Sequence, residues 1–174
     1  RLGTWMILTM TPTMLSGRNE NLHGGRNVLI WQINDWLYGG NWDAVRDLEY
    51  KQHGVGAIVC VAENDMRYFP ESGNDVNYLW CSFNDPGEQL TAAKLEAIVS
   101  FCKTFKEQKC FIHCHAGSNR SPAIQAVVLN VIDGIPIDEA CRLVESRTPT
   151  PRTRSELSDK IEQLTGLSVR LGRD

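Results

Sequence analysis

Two rhythms of hydrophobic positions alternate along this chain. Short apolar runs of strand length are separated by stretches in which apolar residues recur every three or four positions. Val28-Leu29-Ile30-Trp31-Gln32-Ile33 predicts a first strand, and Trp36-Leu37-Tyr38 a second after an Asn34-Asp35 turn. A helix is predicted over 42–52, with Trp42, Val45, Leu48 and Tyr50 facing inward, and Gly54 ends it. The continuous apolar run over 55–61 has the character of a buried parallel strand. Residues 63–75 are polar and turn-rich, and 78–83 reads as another strand. The clearest helix is predicted over 91–109, where Leu95, Ile98, Val99, Cys102 and Phe105 keep helical spacing.

A strand over 110–113 follows, then a loop of small residues and an apolar helix over 122–132. After a turn at Asp133-Gly134, a further helix runs to residue 145, with Asp138 or Ile137 near its cap. The Thr148-Pro149-Thr150-Pro151 loop is rigid, and a last helix over 155–164 has Ser155 as its N-cap. Strands alternating with helices imply an α/β fold of three layers, a central, mostly parallel sheet of about five strands with helices on both faces. The domain is expected over 28–170. Residues 1–27 have a short apolar run at Trp5-Met6-Ile7-Leu8 and are then broken by Pro12, Gly17, Gly24 and Gly25, which reads as an N-terminal arm or extension.

Composition narrows the function without naming it. The 174 residues suffice for one domain with a substantial core, and 42% hydrophobic and 22% charged content are ordinary for a soluble globular protein. A net charge of -3 offers no electrostatic case for nucleic acid or a membrane surface as the main partner. No apolar run approaches the length of a membrane span. The six cysteines lie inside apolar or periodic segments without framework spacing, which suits a reducing compartment, so a cytoplasmic or nuclear setting is expected. The chain opens on Arg1 rather than Met, which reads as a processed or trimmed N-terminus.

The candidate chemistry is concentrated in Phe111-Ile112-His113-Cys114-His115-Ala116-Gly117-Ser118-Asn119-Arg120-Ser121-Pro122. A β-prone run ends at a cysteine, and five residues separate it from an arginine, with no hydrophobic side chain larger than Ala116 between them. Proline two residues after the arginine suits the first turn of a helix. Strand, small-residue loop and helix N-terminus together form an anion cradle, in which backbone N–H groups point inward and the helix dipole favours negative charge. A thiol at the bottom of such a cradle is favoured as the nucleophilic thiolate. Arg120 offers a planar fork for two oxygens of a tetrahedral oxyanion. The carboxyl ends of parallel strands are also where such sheets bind ligands, and Cys114 lies at one.

His-Cys-x5-Arg-Ser resembles the phosphate-binding loop of the cysteine-dependent protein tyrosine phosphatases. The short chain, the opening Ile33-Asn34-Asp35-Trp36-Leu37-Tyr38-Gly39-Gly40 segment and the Ser-Pro start of an apolar helix resemble the dual-specificity branch. The resemblance implies Cys114 as nucleophile through a cysteinyl-phosphate intermediate. It implies Arg120 and the N–H groups of His115, Ala116, Gly117, Ser118, Asn119 and Arg120 as the binding site of the phosphate. Ser121, one residue past the arginine, would stabilise the thiolate as the sulfur leaves, and His113 would orient the loop. In the resembled family the general acid is an Asp on a loop between a strand and a long helix. Here that loop is 84–89, which makes Asp85 the candidate and Glu88 the fallback.

Other residues leave alternatives open. His113 and His115 flank Cys114, but alternation along an extended segment puts the thiol opposite both, and no CxxC or HExxH partner accompanies them, so no metal and no cofactor are expected. His115 reads as a pocket-rim residue, and Asn119 as either a loop brace or a substrate contact. Arg152 and Arg154 read as solvated surface charge, with a second anion subsite as the alternative. Cys60 reads as a buried structural thiol, with a protective disulfide to oxidised Cys114 as the alternative. The expected substrate is a protein carrying phosphotyrosine and, as an extension, phosphoserine or phosphothreonine. Two alternatives stand beside it, an RNA 5′-phosphatase suggested by Asn119 before the arginine, and a catalytically silent phosphate-binding scaffold. Phosphoinositides are disfavoured because the loop has no lysine.

Overall fold

The computed structural model describes residues 29–63 and 76–172; the arm expected over 1–27 and most of the polar 63–75 loop lie outside them. Among the described residues the chain first reverses at Asn34, whose Oδ1 accepts from the N–H groups of Trp36 at 3.1 Å and Leu37 at 2.8 Å. This turn lays β1 (Ile30–Gln32) antiparallel to β2 (Leu37–Gly40). The remaining strands are parallel to β2: β3 (Ala57–Cys60), β4 (Asn77–Trp80) and β5 (Cys110–His113). The sheet order is β1-β2-β5-β3-β4, which confirms the mostly parallel five-stranded sheet and puts β5 at its centre.

Alternation along the strands sorts side chains between two apolar layers. Ala57, Val59, Cys110 and Ile112 join one cluster with Leu95, Ile98, Ile124, Val144, Leu157 and Ile161. Those residues come from α3 (Ala92–Phe105), α4 (Arg120–Asp133), α5 (Ile137–Arg147) and α6 (Ser155–Thr165). Ile58, Cys60 and Phe111 join the opposite cluster with Ala44, Val45 and Tyr50 from α1 (Asp43–Arg46) and α2 (Glu49–Gln52). Every residue of α4 from Arg120 to Leu129 is buried, so that stretch of the helix is enclosed on all sides, and only its last turn reaches the surface.

Several boundaries differ from the sequence expectation for local reasons. The single helix over 42–52 is broken at Leu48, which adopts the left-handed region with φ 57°. On a straight helix Val45 and Tyr50 would lie about 140° apart, so the break lets both enter the same cluster. The long helix begins after Thr91, whose Oγ1 accepts from the Lys94 N–H at 3.2 Å, and it ends at Phe105. A 3₁₀ turn over Lys106–Gln108 then swings the chain into β5. The apolar helix starts at Arg120 rather than 122, which places the arginine in its first turn. Arg154, not Ser155, occupies the N-cap position of α6.

The parallel register brings four chain segments off the carboxyl end of the sheet. Gly40, Cys60 and Trp80 sit level with the end of β5, through Gly40↔His113, Cys60↔His113 and Cys60↔Trp80. Asn41 and Trp42, Val61 to Glu63, Cys81 to Asp85, and Cys114 onward therefore emerge together.

His113, the last residue of β5, is fully buried and stacked on Phe111 with ring centroids 5.3 Å apart. Its Nδ1–H donates to the Cys114 carbonyl at 3.2 Å, tying the strand end to the start of the loop. Burial drives its pKa down to about 4, outweighing that hydrogen bond. The unfolded chain therefore binds this proton first as pH falls. Stability should drop by roughly 3 kcal/mol between pH 6.5 and 4 on account of His113 alone. Urea unfolding across that range should show a shallower pH slope for His113→Asn than for the native chain. Equal slopes would contradict the assignment.

Candidate active site

The loop from β5 into α4 closes back on the cysteine that opens it. Gly117 donates its N–H to Cys114 Sγ at 3.3 Å, and Ser121 Oγ lies 3.3 Å from the same sulfur. This return needs a left-handed residue, and Gly117 has φ 78°. Space requires glycine as well: a Cβ here would stand 2.7 Å from the Trp31 ring and 2.9 Å from the Gly40 carbonyl. The thiol is 2% exposed, at the floor of a cavity of about 250 Å³ lined by Asp85, Cys114, His115, Ala116, Ser118, Asn119 and Arg120.

Arg120 is buried, and its guanidinium reaches across to the loops that follow β3 and β4. One terminal nitrogen donates to the Phe83 carbonyl at 3.0 Å and lies 3.7 Å from the Glu63 carboxylate. Its Nε is 3.1 Å from one oxygen of Asp85, an ion pair not aligned as a hydrogen bond. The other Asp85 oxygen pairs with Arg154 Nε at 2.9 Å. Asp85 thus faces the cavity between two guanidinium groups.

Asn119 joins three loops. Its Nδ2 donates to the Asp85 carbonyl at 2.9 Å, while its Oδ1 accepts from the Arg154 N–H at 2.9 Å. The Arg152 N–H donates to the Ser118 carbonyl at 2.8 Å, a second tie between the same two loops. With both ends of its amide engaged, Asn119 fits the brace of its two sequence readings better than the substrate contact.

Cys114, Arg120, Asp85 and Ser121 are therefore gathered at one cavity, with His115, Ala116, Ser118 and Asn119 on its walls and Gly117 contributing backbone. His113 lies beneath the loop in the opposite apolar layer. His115 is exposed at the rim beside the Trp42 ring, at 5.8 Å between centroids, and its carbonyl accepts from the Trp42 N–H at 3.2 Å. Glu88, the fallback acid, is not at the cavity; its carboxylate accepts from Asn84 Nδ2 at 2.9 Å. Cys60 packs in the layer opposite Cys114, where burial pushes its thiol pKa up. That placement fits the structural reading of Cys60.

Glu63 and the Arg154 contact with Asp85 escaped sequence reasoning. Glu63 had a usable signal, since it closely follows the carboxyl end of a parallel strand. The Arg154 contact had none, because it depends on how the 148–154 loop docks.

Substituting alanine at two left-handed glycines separates backbone strain from crowding. Gly134, the C-cap of α4, has φ 68° and open space where a Cβ would stand, so Gly134→Ala should cost about 1 kcal/mol. Gly117→Ala adds the collision with Trp31 and Gly40 and should cost roughly 2–3 kcal/mol by urea denaturation. Equal costs would show that the loop relaxes freely.

The family description that matches this chain is the dual specificity phosphatase catalytic domain, over residues 37–165. Human dual specificity protein phosphatase 12 is 25% identical over 146 residues, 79% of this chain, and the match spans 42% of that protein's length. Among solved structures, a mouse putative dual specificity phosphatase complexed with zinc tungstate superposes with a TM-score of 0.72 at 20% identity, covering 85% of this chain and 93% of that one. Human DUSP28 gives 0.71 at 19% identity, covering 81% and 95%. With residues 37–165 under one family description, and Cys114, Arg120 and Asp85 among them at a shared cavity, the chain belongs to the dual-specificity phosphatase catalytic-domain family.

Proposed function

We propose that this protein hydrolyses phosphotyrosine in proteins, and phosphoserine or phosphothreonine as further substrates, by transferring the phosphoryl group to Cys114. The observation that carries this reading is a thiol at the floor of a cavity, held by the Gly117 N–H and the Ser121 hydroxyl, with Arg120 and Asp85 on the walls. The family membership and the tungstate complex of the mouse neighbour, tungstate being a tetrahedral oxyanion, support it.

Each residue then has one task. Cys114 attacks phosphorus as the thiolate, forming the S–P bond while the P–O bond to the leaving group breaks. Arg120 and the loop N–H groups hold the equatorial oxygens. Asp85 gives its proton to the leaving oxygen, and as carboxylate it then takes a proton from the water that attacks phosphorus. In that second step the S–P bond breaks, and Ser121 Oγ, 3.3 Å from the sulfur, donates to the departing thiolate. A buried thiol that must stay reduced suits the cytoplasm or nucleus, and the cysteines among the described residues are all free.

The RNA 5′-phosphatase reading rests on Asn119 as a substrate contact, and it loses support because that amide braces two protein loops. A silent scaffold leaves the gathering of thiol, hydroxyl, guanidinium and carboxylate without a purpose.

Steady-state turnover tests the assignment. Cys114→Ser should reduce aryl phosphate hydrolysis to background. Asp85→Asn should lose about 10²-fold or more on a poor leaving group and much less on a good one. A metal chelator should leave the native rate unchanged. Activity retained by Cys114→Ser contradicts the thiolate mechanism, and a leaving-group-independent effect of Asp85→Asn contradicts its role as acid.

A further inference from the structure

Trp31 stands on the edge hairpin, yet its indole ends against the phosphate-binding loop. In β1 it pairs directly with Gly39 of β2. A Cβ on Gly39 would stand 2.5 Å from Trp31 Nε1, so the ring lies across the bare glycine. Gln125 closes the same space, its Nε2 being 2.7 Å from that Cβ position. Gln125 is itself fully buried on α4 and donates from Nε2 to the Ile112 carbonyl at 3.1 Å. The far edge of the indole, Cη2, lies 2.7 Å from where a Cβ on Gly117 would stand. A rigid plane thus spans from the hairpin to the loop, with Gly39 and Gln125 packed against its inner end.

The residue type matters at this position. The indole N–H of Trp31 is buried and finds no acceptor among the described residues, a cost that phenylalanine or leucine would avoid. What the indole has beyond either is length, and the extra length is what meets Gly117. The loop residues on either side of Gly117 are held by hydrogen bonds. The His115 carbonyl accepts from the Trp42 N–H at 3.2 Å, and the Ser118 carbonyl from the Arg152 N–H at 2.8 Å. Gly117 between them is backed by the Trp31 ring and the Gly40 carbonyl, and its own N–H reaches Cys114 Sγ at 3.3 Å. Such a bond weakens steeply as the N–H turns away from its acceptor. A donor on sulfur favours the thiolate over the thiol.

We propose that Trp31 is a positioning residue for the nucleophile, its indole backing Gly117 so that the Gly117 N–H stays on the Cys114 sulfur and favours the thiolate. The proposal rests on the reading of Cys114 as nucleophile. It adds a residue from outside the 113–122 segment that sets the reactivity of the thiol.

Alkylation of Cys114 by iodoacetamide tests it without turnover, because the thiolate is the species that reacts. Peptide mass spectrometry reads the rate at Cys114 alone, for the native chain, Trp31→Phe and Trp31→Leu. Trp31→Phe keeps a ring over Gly39 but is too short to reach Gly117, and Trp31→Leu removes the ring. At about pH 6 both variants should react about three- to tenfold more slowly than the native chain, and at about pH 10 all three should react alike. A merely structural role would lower the urea midpoint and leave the ratio of the two rates at its native value. A native ratio in either variant, with native far-UV circular dichroism, would overturn the proposal. Aryl phosphate turnover by the native chain keeps the two readings apart. Turnover together with native ratios in the variants refutes the positioning role alone. Lowered ratios in the variants of a chain that does not turn over refute the phosphatase reading and leave the positioning role standing.

Discussion

A six-residue loop must carry the chain from the centre of a sheet into a buried helix while folding back on the cysteine that opens it, and the site depends on that constraint being met. Gly117 meets it by adopting φ 78° in a space where Trp31 and Gly40 exclude any side chain. From that one turn follow the N–H contact to Cys114 and the approach of Ser121 to the same sulfur. Trp31 and Gly40 belong to the antiparallel hairpin at the sheet edge, so the hairpin and the loop are mutually dependent.

The electrostatic organisation is a second consequence of position. The parallel register aligns the ends of β3, β4 and β5, so Glu63, Asp85 and Arg120 meet although they lie far apart in sequence. The 152–154 loop then closes the arrangement from outside, through the Asn119 amide and the Arg154 pair with Asp85. Asp85 is held by its main-chain carbonyl through Asn119 and by its carboxylate through Arg120 and Arg154, which fixes its place across the cavity from Cys114. Arg154 lines a cavity adjoining the catalytic one and pairs with Asp85, which lines both, so the positioning of Asp85 and the charge of the adjoining groove are coupled.

Much of this was legible in the sequence, and the limits have physical causes. The 3.6-residue period of Leu95, Ile98 and Cys102 located α3, and the apolar run before Cys114 located the central strand. Cys114, Arg120 and Ser121 were readable because one short segment holds all three. Asp85 was found through the family resemblance and the strand and helix that bracket it. The break at Leu48 was not readable, since it follows from two buried residues five positions apart competing for one cluster. For Asn119 the sequence left loop brace and substrate contact both open, because the choice depends on two loops distant in sequence arriving at opposite ends of one amide.

Phosphoryl transfer to Cys114 is most directly tested by trapping the intermediate. The Asp85→Asn variant, mixed with an aryl phosphate bearing a good leaving group, should pass the first step and stall at the second, where the carboxylate is needed to activate water. Acid quench on the millisecond scale followed by peptide mass spectrometry should find one phosphate on the peptide containing Cys114, formed in a burst matching released aryl alcohol. A burst of alcohol with no phosphate on that peptide, or with phosphate on another residue, would contradict the mechanism.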